Sequence, residues 1–280
     1  MTTTTEVAGE TPATSPSGTS IRGLFGRRIG KINLTGLILP LIIFVLWQTA
    51  SSRGWVDSVF LPRPAVVVEA FWTMLLKQNL LLDISTSIGI VGQAFIYGSV
   101  IAIVLGVAAG LSQRVERFFG PTFDTIRHIP GIAWLPLIVL WLGIGAPAKV
   151  VVIAKSVFFP VFLNTLQGIR NVDRNYIDLS KVLTLTRWQL VRQVILPGAM
   201  PSIIVSLRYA AGLAWALVVV AEGLSGLEGL GFLIFRAQGL LLTDQLIVCM
   251  IIIGLIGFLI DRGMFAIQRR VLRWKQGYDG

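Results

Sequence analysis

Six stretches of the chain are apolar without the two-residue alternation of a strand or the narrow stripe of a surface helix: residues 34–50, 84–111, 129–143, 150–166, 201–221 and 246–260. Runs approaching 20 residues with few charges are what an α-helix needs to cross a hydrocarbon core, and a helix satisfies its own backbone polar groups there. The pattern predicts an all-α polytopic membrane protein with six spans. Residues 1–20, rich in Thr, Ser, Pro, Ala and Gly and without an apolar stretch or cleavage pattern, are expected to be a disordered tail rather than a signal peptide. Residues 21–280 are then one transmembrane domain. After Pro62, Arg63 and Pro64, the residues Val66, Ala70, Phe71 and Met74 have the spacing of an amphipathic helix lying at an interface.

Within the runs, local composition shapes the expected helices. The second run carries Gly89, Gly92, Gly98, Gly106 and Gly110, small residues that let helices approach closely, so it should be buried in the bundle. Pro130 and Pro136 predict a kinked or broken third span, preceded by a short charged loop from Arg114 to His128. Gly223, Gly226, Gly229 and Gly231 lie between the fifth and sixth runs. They lack the Lys-Ser/Thr of a phosphate-binding loop, which leaves a turn with a short re-entrant or interfacial helix.

One polar island, residues 173–197, interrupts the second half. Read as a helix, Tyr176, Leu179 and Leu183 form a narrow apolar stripe while Arg174, Asp178 and Lys181 line another face with opposite signs three and four apart. Thr186 followed by Gln189 is a capping-box pattern that starts a second helix. Two short helices meeting at an elbow are predicted, the first with a greasy edge that calls for a partner.

Composition agrees with the membrane reading: 54% of residues are hydrophobic, 14% are charged and the mean hydropathy is +0.78. The net charge of +10 is a matter of orientation. Sorted by the six spans, 17 of the 24 basic residues fall on the side of the N-terminus, 5 on the other side and 2 within spans. The positive-inside rule therefore puts both termini in the cytoplasm and leaves no charge excess that calls for nucleic acid. A lone Cys249 permits no intrachain disulfide, and a lone His128 has no partner for a metal.

Lys155 and Arg208 are the two charges inside spans, and a charge in hydrocarbon is expensive enough to mark a pathway. With Gln93, Asn164 and Trp215 as polar or aromatic neighbours they would suit an anionic solute. A structural alternative stands beside this: Lys155 can snorkel toward its span end, and Arg208 can bind carbonyls or headgroups. A membrane-embedded enzyme or an ion-coupled secondary transporter should leave acidic or metal-binding residues at mid-membrane, whereas Glu222, Asp244 and Asp261 are expected at span ends.

The island resembles the coupling loop of inner-membrane permease subunits of bacterial ABC importers, Glu-Ala-Ala-x3-Gly-x9-Ile-x-Leu-Pro. On that register Asp178, Leu179 and Ser180 stand at Glu-Ala-Ala, Thr184 at the glycine, and Val194, Leu196 and Pro197 at the closing residues. A β-branched threonine is expected to resist the positive φ that glycine takes at the elbow. The likeness spans roughly residues 40–275, through Arg127-His128-Ile129-Pro130-Gly131-Ile132-Ala133-Trp134-Leu135-Pro136, Phe158 to Thr165, and Leu207 through Trp215 to Glu222. It is similar to the nitrate/sulfonate/taurine branch. The resemblance implies the fold of a type I importer permease, with Tyr176, Asp178, Leu179, Ser180, Leu183, Thr184 and Thr186 coupling to an ATPase. It implies a bacterial inner-membrane location, a homodimer in lipid, two cytoplasmic ATP-binding subunits that hold the ATP and magnesium, and an extracytoplasmic substrate-binding protein. No cofactor belongs to this chain and no bond chemistry is expected of it. The solute would be a small anion such as an aliphatic sulfonate, taurine or nitrate; sister branches carry neutral heterocycles such as a pyrimidine vitamin precursor.

Overall fold

The computed structural model describes residues 35–275, so the N-terminal tail with Arg22, Arg27, Arg28 and Lys31 lies outside the described residues. The chain divides into two units after Leu46. The described part of the first unit, residues 35–46, is the start of α1 (Thr35–Ser52), an apolar helix with Pro40 inside it. In the second unit, the end of α1 is tied to the following turn: Trp47 Nε1 donates to Pro62 O (3.0 Å) and Ser51 Oγ to Leu61 O (3.0 Å).

Next come α2 (Pro64–Lys77), α3 (Leu80–Leu111) and α4 (Gln113–Arg127), then a 3-10 turn (Gly131–Trp134), α5 (Leu135–Leu142) and α6 (Ala146–Arg170). The polar island supplies α7 (Arg174–Val182) and α8 (Arg187–Leu190), and α9 (Leu196–Ser225), α10 (Leu230–Gly239) and α11 (Thr243–Val271) complete the order. Among the described residues, four helices are long and apolar enough to span: Leu80–Leu111, Ala146–Arg170, Arg187–Ser225 and Thr243–Val271. The pair Gln113–Arg127 and Gly131–Leu142, bent by 90°, makes a fifth if taken as one broken span, and the first predicted run appears as a shorter apolar helix, Ile38–Ser52.

The centre of the bundle is the packing of α3 on α6, and α9 packs against both. Three of the five α3 glycines explain the close approach. A Cβ on Gly98 would lie 2.6 Å from Ala154 O, one on Gly106 2.8 Å from Thr165 Cβ, and one on Gly110 2.9 Å from Ile169 Cβ. The matched progression along both helices makes them parallel neighbours, as an intervening span between them requires. Gly89 and Gly92 meet nothing within 4 Å, so the small-residue face does not continue toward the start of α3. α2 buries Val67, Ala70 and Met74 and packs against α11, while Val66 is exposed, one residue off the expected stripe.

Two expectations are corrected. The stretch from Arg114 to His128 is a helix, α4, whose aromatic face meets α6: Phe123 packs edge-on against Phe158 (5.3 Å) and Phe162 (5.1 Å). Its charged residues masked a 3.6-residue periodicity. The second helix of the island is also not short, because Arg187–Ser225 runs on as one helix. Pro197 does not stop it: a π-turn over Val191–Ile195, with Leu196 N donating to Val191 O, widens the backbone where the proline ring would otherwise meet the preceding turn.

Candidate functional site: the α7 island, the broken span and a buried carboxylate

The island folds as an exposed helix with a defined start and end. Asp173 caps α7 by accepting from Asn175 N (2.9 Å). Leu185 N donates to Ser180 O (3.0 Å) and Thr184 N to Lys181 O (3.1 Å), the hydrogen-bond pair of a Schellman turn. Such a turn needs its closing residue in the left-handed region, and Thr184 is there with φ 52°. The expectation that threonine would refuse this conformation is overturned, because two backbone hydrogen bonds outweigh a β-branched residue's steric penalty of about 1–2 kcal/mol. The capping box is present in both directions: Thr186 N donates to Gln189 Oε1 (2.8 Å), and Gln189 N to Thr186 Oγ1 (3.4 Å).

On this frame Tyr176, Leu179 and Leu183 are exposed by 61%, 53% and 60%, joined by Val182 and Trp188. Ser180 is the buried member, its hydroxyl donating to Ile177 O. Asp178 pairs with Lys181 at 2.7 Å, and that hydrogen bond holds its carboxyl below the usual carboxylate range. An apolar stripe of this extent on a short helix projecting between two spans is built to be covered.

The five candidate pathway residues are dispersed. Arg208 is paired with Asp261 of α11 through two hydrogen bonds (2.7 and 2.8 Å) and lies over the Phe265 ring. Asp261 thus meets the Arg208 charge within the chain. Trp215 is core, 5% exposed, with Nε1 donating to Ile253 O (3.0 Å). Asn164 spends its amide on Pro160 O one turn earlier, and its own carbonyl accepts from Ser202 Oγ (2.9 Å). Gln93 is exposed on α3. Lys155 stands apart: Nζ donates to Ile129 O (3.2 Å) at the break of the third span and lies over the rings of Trp134 (5.1 Å) and Phe159 (5.4 Å).

Sequence reasoning missed a buried polar hub at the far end of the bundle from α7. Glu222, expected at a span end, is wholly buried in α9. Its Oε2 accepts from Ser87 Oγ of α3 (2.9 Å) and from Gly231 N at the start of α10 (2.9 Å). Leu230 N donates to Ser87 Oγ (2.9 Å) and Gly229 N to Asp83 Oδ1 (2.7 Å), so three free amides of the α10 first turn are capped from α3 and α9. Lys149 of α6 is also buried, and a Cβ on Gly226 would come within 3.0 Å of its Nζ. A side chain on Gly229, at φ 106°, would overlap the Glu222 carboxylate. The spacing of Gly226, Gly229 and Gly231 was the available signal: these glycines mark where the backbone is pressed against charged side chains.

Residues 98–273 match the family model of binding-protein-dependent transport system inner membrane components. The chain is 33% identical over 276 residues to the putative aliphatic sulfonates transport permease protein SsuC of Bacillus subtilis (strain 168), covering 98% of this chain and 99% of that protein. It is 32% identical over 238 residues to the taurine transport system permease protein TauC of Escherichia coli (strain K12), covering 83% and 86%. The fold is that of the permease in an inward-facing structure of the MetNI methionine ABC transporter, with a TM-score of 0.61 at 18% identity over 70% of this chain and 98% of that one. With its apolar helices, its exposed α7 island and this match over most of its length, the chain belongs to the family of inner-membrane permease components of binding-protein-dependent ABC transport systems, and is a transport subunit rather than an enzyme.

Proposed function

We propose that the protein is the membrane-spanning subunit of an ATP-driven importer for a small anionic solute, an aliphatic sulfonate or taurine foremost and nitrate less so. Two copies form the pathway in the membrane. Each presents α7 to a cytoplasmic ATP-binding subunit that holds the ATP and magnesium, and an extracytoplasmic substrate-binding protein delivers the solute at the α10 end. ATP binding in the partners favours one arrangement of the spans over the other through differential contacts at α7. The exposed stripe of Tyr176, Leu179, Val182 and Leu183 carries this reading, since it stands at the family's coupling position and has no cover among the described residues. The sulfonate and taurine relatives support an oxyanion over a neutral heterocycle. Arg208 being neutralised by Asp261, Lys155 is the remaining intramembrane cation for the solute.

Leu183→Asp tests the docking face. Covering a charge without a partner costs several kcal/mol, so the variant is expected to insert normally but to lose its ATPase on purification, and uptake with it. Lys181→Glu lies on the wet edge, where exposed ion pairs contribute about 1 kcal/mol or less, and should keep both. Retention of ATPase and uptake by Leu183→Asp, with their loss in Lys181→Glu, would assign the docking face to the opposite edge.

A further inference from the structure

The two intramembrane cations are treated differently by the fold. Arg208 has a carboxylate; Lys155 has none within 4 Å among the described residues, only one backbone carbonyl and two aromatic faces. The ammonium is also held far from either end of its helix. α6 has 25 residues, and Lys155 is about 14 Å from its start at 1.5 Å per residue, well inside a hydrocarbon layer of about 30 Å. At that level the third span is broken: Gly131 is pressed against Ser156, and the helix halves on either side diverge by 90°. Non-helical backbone at mid-depth is tolerated where it lines a cavity, and broken helices in transporters are where solutes bind. The indole N–H of Trp134, beside the ammonium, has no hydrogen-bond acceptor among the described residues.

A groove of about 450 Å³ adjoins this point. Its walls are Tyr97 and Ile101 of α3 and Val151 and Phe158 of α6, and Lys155 is part of the lining. Volumes of this size hold small organic molecules. The walls are apolar and Lys155 is the one charged residue among them, its ammonium beside Ile129 O, so the complementary ligand has an aliphatic tail and an anionic head. An acyl chain would fill the groove but would bring no charge to Lys155 at that depth.

We infer that the permease itself carries a solute site at the break of the third span, in which Lys155 receives the oxyanion head and the Tyr97–Val151 groove takes an aliphatic tail. This rests on the importer reading and adds to it that the membrane subunit, not only its binding protein, selects alkyl-chain anions over bare inorganic ones.

The test is equilibrium binding of radiolabelled 1-butanesulfonate to the permease–ATPase complex in lipid nanodiscs, without binding protein and with empty nanodiscs as the blank. The wild type should bind saturably, with nitrate and 1-butanol each competing at least about tenfold more weakly. Lys155→Met should lose tenfold or more in affinity, the range of one charge-assisted hydrogen bond, while Lys155→Arg stays within about threefold. Val151→Trp, which leaves Lys155 in place, should weaken 1-butanesulfonate and leave nitrate competition unchanged. Absence of saturable binding in the wild type, unchanged binding in Lys155→Met, or nitrate competing as well as 1-butanesulfonate would overturn the site. ATPase-dependent uptake by the whole system is measured separately, so the site can fall while the importer reading stands.

Discussion

The Schellman turn that ends α7 sets a backbone requirement at one residue, Thr184, and the same arrangement recurs at the end of α10, where Leu241 has φ 58° and Leu242 N donates to Ala237 O (2.9 Å). Neither residue is suited to the left-handed region, and each is held there by hydrogen bonds to the last carbonyls of its helix. Glycine would relieve about 1–2 kcal/mol of steric cost but adds about 0.4–1 kcal/mol of freedom to the unfolded chain. Thr184→Gly is therefore expected to stabilise the turn by about 0.5–1 kcal/mol, read as a two- to fivefold slowing of amide exchange at Leu185. Faster exchange would mean that threonine makes a favourable contact there that glycine lacks. The Asp178–Lys181 pair three residues away is fully in water and contributes little to this balance.

At the scale of elements, α10 is seated by groups from its neighbours rather than by its own sequence. Its first-turn amides are met by Asp83, Ser87 and Glu222, so the helix is held to α3 and α9 together. Glu222→Ala would leave Gly231 N and Ser87 Oγ buried without this acceptor, and unsatisfied buried groups cost about 1–3 kcal/mol each. We expect a loss of about 3 kcal/mol, against roughly 1 kcal/mol for Glu222→Gln, which keeps an acceptor of the same shape. Cys249, the only cysteine in the sequence and wholly buried, makes the measurement direct, because its reaction with a fluorescent maleimide on heating reports unfolding. Equal midpoints for wild type and Glu222→Ala would remove the hub from any structural role. The contrast between this hub and the spans shows what the chain's letters could convey. Apolar runs, the capping box and the two prolines act through neighbours within one helical turn, so the spans, the α8 start and the broken third span were legible. Glu222 and Ser87 are 135 residues apart, and Arg208 and Asp261 are 53 apart. Such pairs are set by tertiary packing, so the sequence showed two carboxylates near span ends but not the distant partners they meet. α4 was hidden for a different reason, since its charges resemble a loop until Phe119 and Phe123 are placed on one face.

For the molecule as a whole, the helix contacts fix a common polarity that charge counting alone could only infer. α3 and α6 are parallel, and both end beside charged segments joined by the Arg170–Glu116 pair. Gly198, at the start of α9, packs against Val172 just past the end of α6, so α9 turns back. Trp215 with Ile253 and Arg208 with Asp261 then show α11 running antiparallel to α9. Arg114, Arg117, Arg174, Arg187, Arg192, Arg269 and Arg270 thus gather at the α7 end, whereas Asp83, Glu222, Glu228 and Asp244 gather at the α10 end. The positive-inside rule predicts that the α7 end faces the cytoplasm, the side on which the proposed ATP-binding partner would meet the exposed stripe. The prediction can be read at one residue from each end, Val182 and Leu227, exposed by 79% and 78%. In a Cys249→Ala background, Leu227→Cys should react with a membrane-impermeant maleimide added to intact spheroplasts, and Val182→Cys only after the membrane is opened. Both substitutions are at exposed positions, where changes in stability are usually within about 0.5 kcal/mol, so in spheroplasts expressing the permease without the ATP-binding partner that would cover Val182 a difference in labelling reports sidedness rather than folding. Labelling of Val182→Cys in sealed spheroplasts would invert the topology and leave the α7 stripe on the wrong side of the membrane for an ATPase.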